Sequence, residues 1–394
     1  MQEPWVSLTH LERMTDDTGL LEHALGRIPR RREGYTTDDN ARALWACVEW
    51  LGAAPDPEHA SVLRRLTDRY LSFLLWAQRG DGLFHNNFSY DRRPEPEVPS
   101  DDCLGRTVWA LALAWTRLPE AELRLPAGEM LRQAAEHLPR MSAPRGWAYA
   151  LSACCLLERS PAWREQAPAS GPLSAEGLGS LVRDLEGRLL GAFRKASDER
   201  WLWFEPQLTY GNGILPWALF RSYGLTGNAE ALDTARRTLD FLTKRMTSPQ
   251  GWIRPVGNRG WCDRRSQALW DQQPLEVLKL ALASLEACRL LQEPAYRETA
   301  QRCRQWFHGE NDGRVPLADP LDGSCCDGLT PGGPNANRGA ESTLAYLLTE
   351  ALLAASGREE VSADGTNLAA ISDRALLEVP PQPDSPAPGL LMGS

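Results

Sequence analysis

A chain of 394 residues with 42% hydrophobic content can bury a large core. Its formal net charge of -9 leaves no surplus of cations to cluster on a phosphate backbone, so nucleic acid is excluded as an expected partner. No apolar run approaches the ~18 residues needed to cross a bilayer, and MQEPWVSLTHLERMTDD lacks a basic stretch leading into an apolar one, so the expectation is a cytoplasmic protein without a membrane partner.

Helical periodicity predicts twelve helices in chain order, near 39–53, 57–79, 102–118, 120–138, 146–158, 173–195, 214–225, 228–247, 274–291, 294–308, 338–356 and 366–378. Two kinds alternate. DPEHASVLRRLTDRYLSFLLWAQR (56–79) spaces its apolar residues one turn apart with charges between, as a helix with one wet face does. CLGRTVWALALAWTRL (103–118) is apolar on nearly every side, as a buried helix is. Pro57 and Pro274 mark first helical turns, where a missing N–H costs nothing, and Ser100 stands at an N-cap position. Strand signals are confined to GLFHNNFSY (82–90) and GWIRP (251–255), read as short hairpins at a rim. Residues 1–378 read as a single domain and the Pro/Ser-rich 379–394 as a disordered tail.

Six polar segments each precede one of the apolar helices: GYTTDDNAR (34–42), SDDCLGR (100–106), RGWAYA (145–150), WLWFEPQLTYGNG (201–213), WCDRRSQALWDQQPLE (261–276) and GGPNANRGAEST (332–343). One helix of each pair delivers chemistry and the other covers it. The predicted fold class is therefore all-α, an (α/α)6 toroid of six helical hairpins with a carbohydrate site in its mouth.

The segments TDDTGLLEHA (15–24), GYTTDDNARAL (34–44), SDDCLGR, WFEPQLTYGNGILP (203–216), QPLE (273–276) and NRGAEST (337–343) together resemble a bacterial family with a six-hairpin, glycosidase-like fold. Its members are described as glycosyltransferase-associated and occur near mannoside-processing enzymes. The similarity spans about residues 11 to 356 and implies a carbohydrate-active toroid, without assigning catalytic roles.

Glycosidic cleavage generally needs one protonated and one ionised carboxyl group. Asp38, Asp39, Asp101, Asp102, Glu205, Glu276 and Glu341 all fall at starts of the apolar helices, hence on one face of a ring. Adjacent acids in a partly desolvated cavity resist ionising together, which raises one pKa and makes the two DD pairs candidates. The competing reading is helix capping, with a following acid favoured by the helix dipole. Glu205 is the favoured general acid, because Trp201, Trp203, Phe204 and Tyr210 surround it in sequence. Glu276, next to Pro274, also reads as a dipole-favoured first-turn acid.

Asn40, Asn212, Asn337, Arg42, Arg106, Arg265 and Arg338 supply donors for sugar hydroxyls, and Trp147, Trp203, Trp261 and Tyr210 supply flat apolar faces. His85 is a secondary acid/base or hydroxyl-binding candidate. Nine cysteines with no CxxC spacing read as reduced thiols, with adjacent Cys325 and Cys326 expected to be the more exposed. The six scattered histidines give no zinc pattern, and no Gly-rich phosphate loop or GxSxG elbow occurs, so neither metal nor cofactor is expected.

The expected activity is cleavage of a short manno- or gluco-oligosaccharide by carboxylate general acid/base catalysis. Phosphorolysis or sugar transfer is the alternative. It requires a basic pocket for inorganic phosphate, for which Arg265 and Arg338 are candidates. A non-catalytic carbohydrate-binding toroid and a sugar epimerase, which would want histidines in the mouth, complete the set.

Overall fold

The computed structural model describes residues 6–364. Six inner helices form a closed ring: α2 (Thr37–Gly52), α4 (Asp101–Arg117), α6 (Pro144–Arg159), α9 (Ile214–Thr226), α11 (Pro274–Leu291) and α13 (Ala340–Asp364). Each packs on the next, and α13 closes onto α2. An outer layer is made by α3 (Pro57–Ala77), α5 (Ala121–Ala135), α8 (Ala175–Ala196), α10 (Ala229–Arg245) and α12 (Pro294–Phe307), each set against an inner partner. Two short helices escape the periodicity, α1 (Thr9–Met14) beside α13 and α7 (Pro161–Gln166) ahead of α8. Six residues carry too little periodic signal to be read. The predicted helix 366–378 and the tail 379–394 lie outside the described residues.

Local sequence explains where the helices begin. The Thr36 hydroxyl accepts the Asp39 N–H, Ser100 accepts that of Cys103, and Asp56 accepts those of Glu58 and His59 just before Pro57. The closest inner packing, α4 against α6, depends on a glycine pair. A Cβ on Gly105 would stand 2.8 Å from the Gly146 carbonyl oxygen, and one on Gly146 would stand 2.7 Å from that of Asp101.

The ring's axis is filled rather than open. Trp109 meets Trp45 and Trp217 edge-on at 5.7 and 4.8 Å between ring centres, while Trp45 and Trp217 stack at 6.4 Å. This plug closes the toroid below its mouth.

Strand content is sparse. Asn87–Phe88 does not form a hairpin within 82–90 but pairs antiparallel with Tyr35–Thr36, tying that loop to the entry of α2. The segment 251–255 contributes one bridge, Thr247 to Ile253. Three further two-residue antiparallel pairs join residues 24–29, 318–325 and 329–334. Cys325 and Cys326, expected to be exposed, are both buried, because Ser342 and Thr343 at the start of α13 cover the loop and bond its backbone.

Candidate functional site

The starts of the inner helices bring most of the sequence-predicted residues to one mouth, in two arms. The first arm is built on α2. Asp38 and Asp39 are neighbours in sequence but take different partners. Asp38 pairs with Arg106 from α4, and Asp39 pairs with Arg42 one turn on at 2.6 Å. Arg42 also reaches Glu341 on α13 at 2.7 Å. Asn40 is fully buried. Its Oδ1 accepts the Leu20 N–H at 2.9 Å and its amide donates to the Thr36 carbonyl at 2.8 Å, so it is the bracket that holds residues 15–24 over the ring.

That bracket brings in residues that sequence reasoning missed. The Glu22 backbone bonds Gly34 at 3.0 Å and Ala340 at 2.9 Å, which sets its side chain among Asp39, Glu341 and His23. His23 Nε2 lies 3.4 Å from the Glu22 carboxylate, and its Nδ1 lies 3.1 Å from the Asn337 amide. Asp327 arrives from the loop before α13, its N–H bonded to the Asn337 carbonyl at 2.8 Å. Glu22 and His23 stand in a quoted motif without being singled out. Asp327 follows the Cys pair that drew attention for another reason.

The surroundings drive these acids apart. Burial, reinforced by Asp39, pushes Glu22 up to about 7. Burial and then Glu341 push Asp327 up to about 6. Burial also raises Asp39 against the pull of Arg42. Burial would raise Asp38 too, but Arg106 and Arg42 together outweigh it and hold Asp38 below the usual carboxylate range.

The second arm joins α4, α6 and the loop before α9. Asp102 accepts the Tyr210 hydroxyl at 2.6 Å. Arg145 carries the Tyr210 ring on its guanidinium at 4.4 Å and donates two bonds of 3.1 and 3.0 Å to Glu205. Tyr210 is thus fixed on one face and 41% exposed. Glu205 differs from its sequence expectation. Arg145, not an apolar cage, faces its carboxylate and occupies both oxygens. The reason is tertiary: the neighbouring Trp201 and Trp203 turn inward to the core, against Phe204 and Phe241.

Several other candidates are buried or bonded within the fold. Trp203 is 0% exposed. Asp101 accepts the N–H groups of Ser142 and Ala143 and the Ser142 hydroxyl, pinning the entry to α6. Glu276 is buried under the 201–213 loop, taking the N–H groups of Gly211 and Asn212 and the Asn212 amide, the last at 2.7 Å. Burial raises its pKa against those bonds. Asn212 is spent on that contact and on Thr209. Trp147 donates to the Met141 carbonyl at 2.8 Å.

His85 packs edge-on to Phe88 at 6.0 Å in the loop beside α2, where its carbonyl accepts the Thr37 hydroxyl. Trp261 is half-buried with a left-handed φ of 57°, and Arg265 sits in an exposed turn closed by Asp263. Arg338 is committed to Ser324 and, at 3.7 Å, to Asp319. Arg265 and Arg338 thus take different partners.

Among the described residues, no group of His, Cys, Asp and Glu is arranged to hold a metal ion, and no helix is long and apolar enough to cross a membrane.

No protein-family profile matches the sequence, and no match is found among curated proteins. Solved structures do match. A cellobiose 2-epimerase from Bacillus thermoamylovorans superposes with a TM-score of 0.67 at 11% identity, covering 90% of this chain and 96% of that one. A GH76 α-mannanase from Bacteroides thetaiotaomicron gives 0.60 at 12%, covering 89% and 95%. A D-mannose isomerase gives 0.59 at 11%, covering 88% and 94%. At such identities the likeness is one of fold, and it establishes the chain as an (α/α)6 toroid of the kind these three proteins share.

Proposed function

We propose that the mouth is the active site of a carbohydrate-processing enzyme, and that it breaks a glycosidic bond of a short manno- or gluco-configured oligosaccharide. One observation carries the reading. Within a single mouth, Glu22 keeps its proton up to about 7 while Asp38 is held ionised, and both adjoin Asp39. Two carboxyl groups pushed apart in this way are the pairing that acid/base cleavage needs. In this scheme Glu22 protonates the departing glycosidic oxygen. Asp38, oriented by Arg106, accepts a proton from the attacking water. The exposed face of Tyr210 offers a platform for a sugar ring beside Asp102.

The toroids it resembles include a mannanase, which fits cleavage, and an epimerase and an isomerase, which fit a second reading. His23 beside Glu22 favours that second reading, proton transfer at a sugar carbon, because it supplies an imidazole in the mouth.

One experiment separates the alternatives. The protein is incubated in deuterated buffer with manno- and gluco-oligosaccharides, with and without inorganic phosphate, and the products are identified by NMR and mass spectrometry. Free sugars formed without phosphate support hydrolysis. Sugar phosphate formed only when phosphate is present replaces hydrolysis by phosphorolysis, and deuterium at C2 of an intact chain replaces it by epimerisation. Failure to process any sugar overturns the proposal.

A further inference from the structure

Cations in this chain are almost all arginine: of the 43 basic residues, three are lysines. Lys195 and Lys244 are exposed, whereas Lys279 is 1% exposed in the apolar run of α11. An arginine holds its charge permanently, while a lysine can surrender its proton. The choice of an amine at this one interior position is therefore informative.

Lys279 lies in a layer between the tryptophan plug and the carboxylates of the mouth. Its Nζ is 4.7 Å from the Trp45 ring centre and 5.2 Å from that of Tyr149. Arg106 holds its guanidinium carbon 5.5 Å from the Tyr149 ring centre. The charged groups facing the pair are Arg42 from α2 and Arg106 from α4, the first paired with Asp39 and with Glu341 of α13 and the second with Asp38. No ion pair to a carboxylate is formed by Lys279 among the described residues. A third positive charge buried here without an anion is disfavoured, because nothing would offset its loss of hydration.

We propose that Lys279 and Tyr149 share a single proton, so that the pair is uncharged overall and Arg106 and Arg42 stay on the carboxylates of the mouth. The balance is simple. An ammonium and a phenol together release one proton to solvent on folding, leaving either ammonium with phenolate or amine with phenol. Burial lowers the Lys279 pKa, with Arg42 and Arg106 adding to the fall. Burial would raise Tyr149, but Lys279, Arg106 and Arg42 outweigh it and bring it below its ordinary value. Both groups are nearly sealed from solvent and so act through Arg106 as positioning residues. The proton sharing stands on its own, whereas its service to Asp38 rests on the catalytic reading above.

The test labels lysine side-chain nitrogen and the tyrosine Cζ carbon for NMR of the wild-type protein. With three lysines the nitrogen spectrum is sparse, and the pair is assigned from the signals lost in Lys279→Met and Tyr149→Phe. Near neutral pH one member of the pair should show its deprotonated shift. If neither variant folds, Lys279 is still identified as the one lysine whose signal departs from the two exposed ones. Ammonium and phenol shifts for both members persisting to about pH 9 overturn the proposal. Because no substrate is used, this result is independent of whether the enzyme cleaves, phosphorolyses or epimerises sugars. In a turnover assay, Tyr149→Phe should move the acidic limb of the pH profile, which a loss of packing alone would leave in place.

Discussion

Replacing Glu22 by Gln tests the proton donor without disturbing its shape, because the amide resembles the neutral acid. A rise in pKa from 4.5 to about 7 corresponds to roughly 3 kcal/mol between the two protonation states for a group fully shielded from water. The side chain is 32% exposed, so solvent screening reduces this to about 1.5 kcal/mol. The sign follows from linkage. A folded state that binds the proton more tightly than the unfolded chain gains stability that is complete below 4.5 and is lost as pH rises through about 7. Glu22→Gln cannot lose it. Thermal melts of the two proteins should therefore coincide near pH 5 and separate above about pH 7, with the variant the more stable by a few degrees. In the same variant, turnover of a cleaved oligosaccharide should fall by roughly 10²–10⁴-fold, and the alkaline limb of the pH profile should disappear. Melting curves that run parallel across this range, or a variant that turns over as fast as wild type, would refute Glu22 as the acid.

Two further substitutions separate scaffold from chemistry. Asp101→Ala removes the acceptor for the Ser142 and Ala143 N–H groups and should cost about 1–3 kcal/mol by denaturant melting, with sugar binding at saturating protein nearly unchanged. Trp203→Ala opens a cavity in a fully buried aromatic cluster and should cost about 3–5 kcal/mol, seen as a large fall in Tm, where a sugar-stacking role would instead show as weaker binding with little loss of stability.

The sequence by itself determined the long helices of the described residues and the ring, though not the six-residue α1 and α7. Runs such as 103–118, apolar on every side, can be satisfied only in the interior, and their alternation with one-faced helices like 56–79 leaves few arrangements besides two concentric layers. It also determined which ends of the helices carry polar groups, because Thr36, Ser100 and the following acids are local signals for a helix start. What tertiary structure decided was the partner of each charge. Nothing in the order of residues says that Asp38 takes Arg106 while Asp39 takes Arg42, or that Arg145 crosses 60 positions to hold Glu205. The same holds for the four groups that periodicity passed over. Glu22 and Asp327 become unusual acids only when Asn40 and Asn337 fold distant loops over Asp39 and Glu341. Lys279 and Tyr149 become a pair only when α6 and α11 face each other across the ring. A carboxylate's identity is written in the chain, but its proton affinity depends on burial and on neighbours a few ångströms away, and those are brought together only by closing the toroid.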